Sequence, residues 1–105
     1  MTKNQHLLVK VSEECAEISQ VACKAIIFGP KNHAPGDYDT DNANDIITEY
    51  YQLTAIIEML QEEKVLPIYD EEKINDIKSD KKSRIKSWMK YSDKLGYTQL
   101  KRGDK

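Results

Sequence analysis

Acidic side chains recur on one short stretch of the chain at spacings that suit metal binding. Glu13, Glu14 and Glu17 lie together in the run SEECAE. On a helix, residues three and four apart are neighbours on one side. Carboxylate oxygens are the ligands that hard divalent cations such as Mg²⁺ prefer. The run therefore indicates either a cation site or a solvated acidic surface, which is common on helices.

A fourth acid, Glu49, falls within an apolar stripe. Ile46 precedes it by three residues and Leu53 follows it by four, so its side chain points toward the expected core. A buried carboxylate is costly unless it is protonated, paired or bound to a cation. If the two acidic helices pack antiparallel, the acids of the first face Glu49 and form an Mg²⁺ site. The alternative is a structural cluster in which Glu49 pairs with Lys10, Lys24 or a tyrosine hydroxyl.

Three segments have the spacing of apolar residues that predicts amphipathic helices. Gly29-Pro30 ends the first, capping residues near Asp41 begin the second, and Gly96 ends the third. In no stretch do apolar and polar residues alternate for long enough to predict a strand. The predicted fold is all-α, an antiparallel bundle of three to four helices in a single domain over residues 1–105. The predicted helices span about residues 4–28, 43–63 and 70–95, and a long loop spans about 29–42.

Length and composition limit what the chain does alone. With 105 residues, of which 39% are hydrophobic, it forms one core with a limited buried fraction, so dimerisation or tetramerisation is expected to complete it. The net charge of −2 shows no overall basic excess for nucleic acid or an anionic membrane. No apolar run is long enough to span a bilayer. The N-terminal run MTKNQHLLVKVSEE has acidic residues where a signal peptide would have its apolar core. We expect a cytoplasmic protein without a membrane partner.

Basic residues are concentrated on the third predicted helix. Most project away from its Ile/Trp stripe, and acids are interleaved near its start. No groove-reading motif accompanies them, so we expect a solvated face and keep nucleic-acid binding as the weaker alternative. The basic residues are Lys78, Lys81, Lys82, Arg84, Lys86, Lys90 and Lys94.

The two cysteines, Cys15 and Cys23, lie on one predicted helix. Their separation along the helix axis is about 12 Å at 1.5 Å per residue, which is too far for a disulfide. We expect free thiols that are buried among apolar side chains, as in proteins of a reducing compartment.

Two acidic motifs, taken in order, resemble those of a known family. The runs LLVKVSEECAEISQVACKAIIFGP and TEYYQLTAIIEML are similar to the motif helices of the MazG-like all-α nucleoside triphosphate pyrophosphohydrolases, particularly the short single-domain forms of phages and bacteria. The family pattern is Glu-x-x-Glu, a spacer and Glu-x-x-Asp. This chain has Glu14-x-x-Glu17 and, after a spacer longer than usual, Glu49-x-x-Gln52. The resemblance continues through LPIYDEEKINDIKSDKKSRIKSWMKYSDKLG and covers about nine-tenths of the chain.

The resemblance implies hydrolysis of a nucleoside triphosphate to the monophosphate and pyrophosphate. It implies Mg²⁺ as the ion, with Mn²⁺ as a substitute, and a homodimer or homotetramer. By motif position, Glu14, Glu17, Glu49 and Gln52 would be metal ligands. Glu13 or Glu17 would orient the attacking water as the catalytic base.

Substrate contacts are expected from residues beside these acids. Lys10 and Lys24 flank the acids of the first helix and are candidates for phosphate binding, with plain ion pairing to the nearby acids as the alternative. Tyr51, with its neighbour Tyr50, is a candidate to stack on the base, whereas tyrosines on a bundle helix more often pack in the core.

Gln52 stands where the family has an aspartate. A glutamine offers one neutral oxygen and cannot chelate through two. Three outcomes follow: an enzyme with a weakened or single-metal site, a site in which Asp45 from the preceding turn substitutes, or an impaired helical module that binds a nucleotide or a partner protein. We favour the enzyme because Glu14, Glu17 and Glu49 all remain.

Overall fold

Three helices and no strand make up the part of the chain that the structure describes. The computed structural model describes residues 1–33, 35–36 and 38–100, so two residues of the predicted long loop lie outside the described residues. The prediction of an all-α fold is confirmed. Each helix begins and ends within one residue of its predicted bounds. The helices are α1 (Lys3–Phe28), α2 (Asn42–Glu62) and α3 (Glu71–Lys94).

Each helix begins at a side chain that accepts a hydrogen bond from the first turn. The backbone N–H of Gln5 donates to Thr2 Oγ1 at 3.1 Å, and the N–H of Thr2 donates to Gln5 Oε1 at 2.8 Å, which forms a capping box. Asp41 Oδ1 accepts from the N–H of Asn44 at 2.7 Å, and Asp70 caps α3 in the same way. These caps satisfy backbone donors that a helix cannot pair by itself.

The connection from α1 to α2 begins at a glycine and closes through backbone hydrogen bonds. Gly29 adopts a φ of 93°, a conformation that glycine takes without steric strain. Further along, the N–H of Asn42 donates to the carbonyl of Asn32 at 2.8 Å, and the N–H of Ala43 donates to that of Pro30 at 2.8 Å. The first turn of α2 is therefore tied directly to the residues that follow α1.

α1 and α2 pack against each other as an antiparallel hairpin. At one end, the ammonium of Lys3 pairs with the carboxylate of Glu63 and joins the start of α1 to the end of α2. At the other end, Asn42 Nδ2 donates to the carbonyl oxygens of Gly29 at 2.9 Å and Lys24 at 3.4 Å. Contacts at both ends set the direction and the register of the two helices.

The core of this hairpin is small. Among the described residues, the buried apolar side chains are Leu7 and Leu60, and the buried polar one is Asn42, which is 1% exposed. Two helices share a single line of contact, and a domain core normally needs further elements packed on it. The hairpin therefore positions side chains well but leaves much apolar surface open.

The described chain divides into two compact units, Met1–Pro67 and the part that begins at Ile68. The hairpin forms the first unit. α3 belongs to the second, and no residue of α3 is buried. None of the helices in the described part is both long and apolar enough to cross a membrane. The wider bundle, the single domain and the oligomeric state stay predictions.

The two thiols depart from expectation in one respect. Cys15 and Cys23 are free, as predicted, but both are exposed, so the prediction that they are buried is wrong. The line along which α1 meets α2 passes through Leu7 and Ile18; Cys15 lies about 70° around the helix from that line and Cys23 about 150°. The apolar period of α1 includes Cys15 but not Cys23, and it does not show how narrow the buried stripe is.

Replacement of Asn42 by alanine should destabilise the hairpin by about 1–3 kcal/mol, because the carbonyl oxygens of Gly29 and Lys24 lose their buried donor. Urea unfolding followed by helix circular dichroism measures the loss. The matched control is Asn44→Ala, since the Asn44 side chain is exposed and donates only to Asp41; it should change the free energy of unfolding by about 0.5 kcal/mol or less. Equal losses in the two variants would contradict this role of Asn42.

Candidate metal centre

Three of the predicted carboxylates meet between α1 and α2. One carboxylate oxygen from each of Glu14, Glu17 and Glu49 lies within 4.8 Å of the others. Glu14 and Glu17 stand one turn apart on α1, and the antiparallel packing brings the middle of α2 beside them. Glu14 and Glu49 are half-buried, whereas Glu17 is exposed. We call this cluster the acidic triad; it is partly enclosed and opens to solvent at Glu17.

Two oxygens of the acidic triad are buried without a hydrogen-bond donor. Glu14 Oε2 and Glu49 Oε2 have almost no contact with solvent, and neither accepts a hydrogen bond from a described residue. Ionised carboxylate oxygens only accept hydrogen bonds, so three carboxylates cannot satisfy one another. A proton, a cation or a water molecule can compensate them.

The environment of Glu49 favours its protonated form. Burial, above all, raises its pKa from 4.5 to about 7. Hydrogen bonds that a protonated Glu49 shares with Glu14 and Glu17, and repulsion from their charges, act in the same direction. Near neutral pH, Glu49 is therefore partly protonated when no cation is bound. A cation would occupy the same oxygens in place of that proton.

The dimensions of the acidic triad suit a small divalent cation. Two oxygens on opposite sides of Mg²⁺, each about 2.1 Å from it, are about 4.2 Å apart. The triad oxygens lie within 4.8 Å of one another, so small side-chain rotations would bring them into range. A set of oxygen donors without sulfur or imidazole favours Mg²⁺ or Mn²⁺ over softer metals. The residues present therefore fit the ion predicted from the sequence.

Glu13 lies outside the acidic triad and pairs with Lys10. Lys10 Nζ stands 2.8 Å from Glu13 Oε2. The ammonium of Lys10 holds the pKa of Glu13 below its usual value, and Glu13 in turn raises the pKa of Lys10. A lowered pKa makes a carboxylate a weaker proton acceptor. Of the two candidates for the catalytic base, Glu17 is the one that the structure places in the triad.

The candidates on α2 lie at different angles from Glu49. Gln52 is exposed and one turn after Glu49, so the two are neighbours on one side. Asp45, one turn before Glu49, is not one of the carboxylates that converge. Tyr51 is about 200° around the helix from Glu49 and is 63% exposed, with its ring against Tyr50. The roles assigned to Gln52 and Tyr51 stay predictions.

Two residues of the hairpin have structural contacts that the sequence pattern did not indicate. The backbone carbonyl of Lys24 accepts a hydrogen bond from Asn42, while the phosphate contact predicted for the Lys24 side chain stays a prediction. Asn42, the first residue of α2, binds the backbone at the end of α1 and so joins the two helices that carry the triad. In the sequence, an asparagine just after a cap residue is typical of any helix start. The structural role of Asn42 is therefore recognised only from the contact between α1 and α2.

A shallow groove runs along α3 in the second unit. It is lined only by polar side chains, all of them exposed, and no aromatic ring contributes to it. Such a surface attracts anions but offers no ring on which a base could stack. Binding of nucleic acid gains no support beyond the positive charge. The lining residues are Asn75, Lys78, Ser79, Lys82, Ser83 and Lys86.

Comparisons with models of protein families, with curated proteins and with solved structures find no match for this chain. The interpretation of the acidic triad therefore rests on its geometry and on the order of the acidic motifs in the sequence. Both point to the same three residues, Glu14, Glu17 and Glu49.

The raised pKa of Glu49 predicts how stability changes with pH when divalent cations are absent. Because the pKa is higher in the folded chain, protonated Glu49 stabilises the fold fully below about pH 4.5, and this contribution is lost as the pH rises through about 7. Glu49→Gln removes the dependence. At about pH 8 the variant should be more stable than the wild type by on the order of 1–2 kcal/mol, since one pKa unit is about 1.4 kcal/mol and partial solvent contact reduces the effect.

Urea unfolding of both proteins between about pH 4 and pH 8 measures this difference. The matched control is Glu58→Gln, which removes an exposed acid of α2 outside the acidic triad. The difference in the free energy of unfolding between Glu58→Gln and the wild type should stay nearly constant with pH. A constant difference for Glu49→Gln as well would show that Glu49 is ordinary surface.

Proposed function

We propose that this chain is an Mg²⁺-dependent nucleoside triphosphate pyrophosphohydrolase of the MazG-like type, which releases a nucleoside monophosphate and pyrophosphate. The observation that carries the proposal is the acidic triad, in which Glu14, Glu17 and Glu49 converge and leave two buried oxygens without a donor. These residues are three of the four acidic positions of the motif pair. Motif order and geometry support the proposal together, since neither is specific alone.

In this proposal the acidic triad holds the ion, and solvent enters at its open edge. Bound there, Mg²⁺ supplies positive charge that offsets the negative charge of the triphosphate oxygens. The half-buried carboxylates of Glu14 and Glu49 anchor the site. Glu17, which is exposed, accepts a proton from the attacking water. The water oxygen bonds to the α-phosphorus, the bond from that phosphorus to the bridging oxygen breaks, and pyrophosphate leaves.

Two lysines of α1 lie on the same side of the helix as Glu17 and are the candidates for contact with the phosphates. Lys10 is paired with Glu13 at 2.8 Å, and both side chains are partly exposed. An exposed pair of this kind is weak, so its cation is free to turn to a phosphate at little cost. Lys24 on the same helix is the second candidate for a phosphate contact. Glu13 would then lose its ion-pair partner and would have no direct role in catalysis.

The proposal also covers the setting of the reaction. We expect Mn²⁺ to replace Mg²⁺, because it takes the same oxygen ligands. We expect a homodimer or homotetramer, because the hairpin buries only Leu7 and Leu60 among its described apolar residues. We place the reaction in the cytoplasm, where nucleoside triphosphates and Mg²⁺ meet.

A nucleotide-binding module without catalysis is the second candidate, and Gln52 is the observation that favours it. Gln52 is exposed and one turn from Glu49 on the same side of α2. Its amide carries no charge and offers a single oxygen, so an ion here is held less tightly than beside an aspartate. Such a module would bind a nucleotide with its ion and release no pyrophosphate.

Pyrophosphate release is the direct test of the first candidate. We expect at least one triphosphate, from a panel of the canonical ones and several modified ones, to be hydrolysed with Mg²⁺ or Mn²⁺. Glu49→Gln should lower the rate by about 100-fold or more, because changes that merely disturb metal ligands already cost about 10–100-fold. Glu58→Gln, outside the acidic triad, should keep the wild-type rate. A coupled assay for pyrophosphate follows both variants.

The outcomes separate the two candidates. If a nucleotide raises the melting temperature but no pyrophosphate appears from any triphosphate, the binding module is the better description. If Glu49→Gln keeps full activity, the acidic triad is not the catalytic site.

Gln52→Asp tests whether this position contacts the ion. The added carboxylate should raise Mg²⁺ affinity or activity by about 10-fold, since affinity for hard cations follows the number of charged ligands. Titration of activity, or of melting temperature, with Mg²⁺ measures the change. Ala55→Asp adds the same charge at an exposed position about 120° around α2 from Glu49 and should have little effect. No response to Gln52→Asp would place residue 52 outside the ligand set.

A further inference from the structure

The second half of α3 presents apolar side chains to solvent on one side. No residue of this helix is buried, and Trp88 is 69% exposed. At about 100° per residue, Ile85, Trp88 and Met89 lie within an arc of about 100°. Ile85 is 44% exposed and Met89 is 37% exposed. We call these three residues the Trp88 patch.

Positively charged side chains surround the Trp88 patch. Lys82 lies about 20° beyond one edge of the patch, and Arg84 lies about 40° beyond the other. Lys81 lies in line with Trp88, about two turns before it. Arg84 Nε stands 3.1 Å from Asp80 Oδ2, but both side chains are exposed, so this pair is weak and Arg84 can exchange it for another acid.

A row of lysines continues along α3 at every fourth position. Like charges at this spacing repel one another on a helix. Residues 81–94 contain six basic residues and a single acid, so this segment does not neutralise its own charge. An acidic partner would relieve the repulsion. The row consists of Lys78, Lys82, Lys86, Lys90 and Lys94.

An apolar centre with a cationic border identifies the chemistry of the partner. The partner surface must be apolar where it covers Trp88 and acidic where it meets the surrounding cations, because unpaired charges are costly to bury. Protein grooves that bind amphipathic helices have this form. Tryptophan, methionine and arginine are also the residue types that are enriched in interfaces between proteins.

Other partners fit this segment less well. An anionic membrane or a nucleic acid would also repel the first unit, since residues 1–67 contain eleven acids and five lysines. A membrane would draw Lys81 to the depth of the apolar side chains, where no acid is available. Phosphates of a nucleic acid would account for the row of lysines but not for the Trp88 patch. Two α3 helices from two copies of the chain would bring like charges together.

We propose that the second half of α3 docks as a helix in the groove of a different protein, one with an apolar floor and an acidic rim. Trp88 fills the floor of that groove. Lys81, Lys82 and Arg84 pair with acids of the rim. No residue of the acidic triad takes part, so this docking is independent of the enzymatic proposal.

The fluorescence of Trp88 reports this docking directly. Trp88 is the only tryptophan of the chain, so its emission moves to shorter wavelength when a partner without tryptophan covers it. Calcium-loaded calmodulin serves as the probe, since it is acidic and its open groove is rich in methionine. We expect the full chain to bind it with an apparent Kd of about 10 μM or lower. Removal of calcium closes the groove and should reverse the shift.

Lys81→Glu and Lys90→Glu form a matched pair of variants. Each reverses the charge of one exposed lysine of α3, but Lys90 lies about 160° around the helix from Trp88, whereas Lys81 lies in line with it. Lys81→Glu should raise the Kd at least about 10-fold, and Lys90→Glu should raise it by about 3-fold or less, because charges outside an interface contribute little to affinity. Circular dichroism verifies that both variants keep the helix content of the wild type.

Several outcomes would overturn the proposal. One is the absence of any shift of wild-type emission with calmodulin at about 100 μM. Equal losses in the two lysine variants are another, because binding would then follow net charge alone. Vesicles of phosphatidylserine and phosphatidylcholine, and a single-stranded oligonucleotide, test the other partners; a shift with either of them but not with calmodulin would assign α3 to lipid or to nucleic acid. Emission that moves to longer wavelength when the chain alone is diluted would show that a second copy already covers Trp88.

Discussion

The antiparallel register of α1 and α2 is the constraint on which the rest of the described structure depends. It is held at one end by the amide of Asn42 on the carbonyl of Gly29 and at the other by Lys3 and Glu63. A shift of one turn would move Glu49 by about 5.4 Å, which exceeds the 4.8 Å within which the triad oxygens lie. An amide hydrogen bond at one end of the hairpin and an ion pair at the other therefore determine whether the acids in the middle lie together.

The acidic triad itself opposes the packing that creates it. Two of its carboxylate oxygens are shielded from solvent, and burial above all, together with the charges of Glu14 and Glu17, raises the pKa of Glu49. An apolar residue in place of Glu49 would pack the hairpin with less conflict. The fold instead keeps a carboxyl group that no described donor compensates, and it keeps this group beside an edge open to solvent. Strain of this sort is typical of sites where chemistry is done.

Much of the hairpin could be predicted from the sequence, because its determinants are local. The capping role of Asp41, the stop at Gly29 and the position of Glu49 within an apolar stripe follow from neighbours within one or two turns. Burial was predicted less well. The exposure of Cys15 and the burial of Asn42 depend on the width of the contact surface between the two helices. Helical periodicity does not encode that width. Any contact of Gln52 with a cation would depend in the same way on neighbours beyond its own helix.

The location of the acidic triad within one hairpin has a consequence for how the triad forms during folding. All three triad residues lie in one hairpin, so closing the single connection between its helices brings them together, and the entropy of that closure grows only slowly with its length. The acidic triad is therefore expected to assemble in the same kinetic event as the hairpin, and its assembly needs no contact with a second chain.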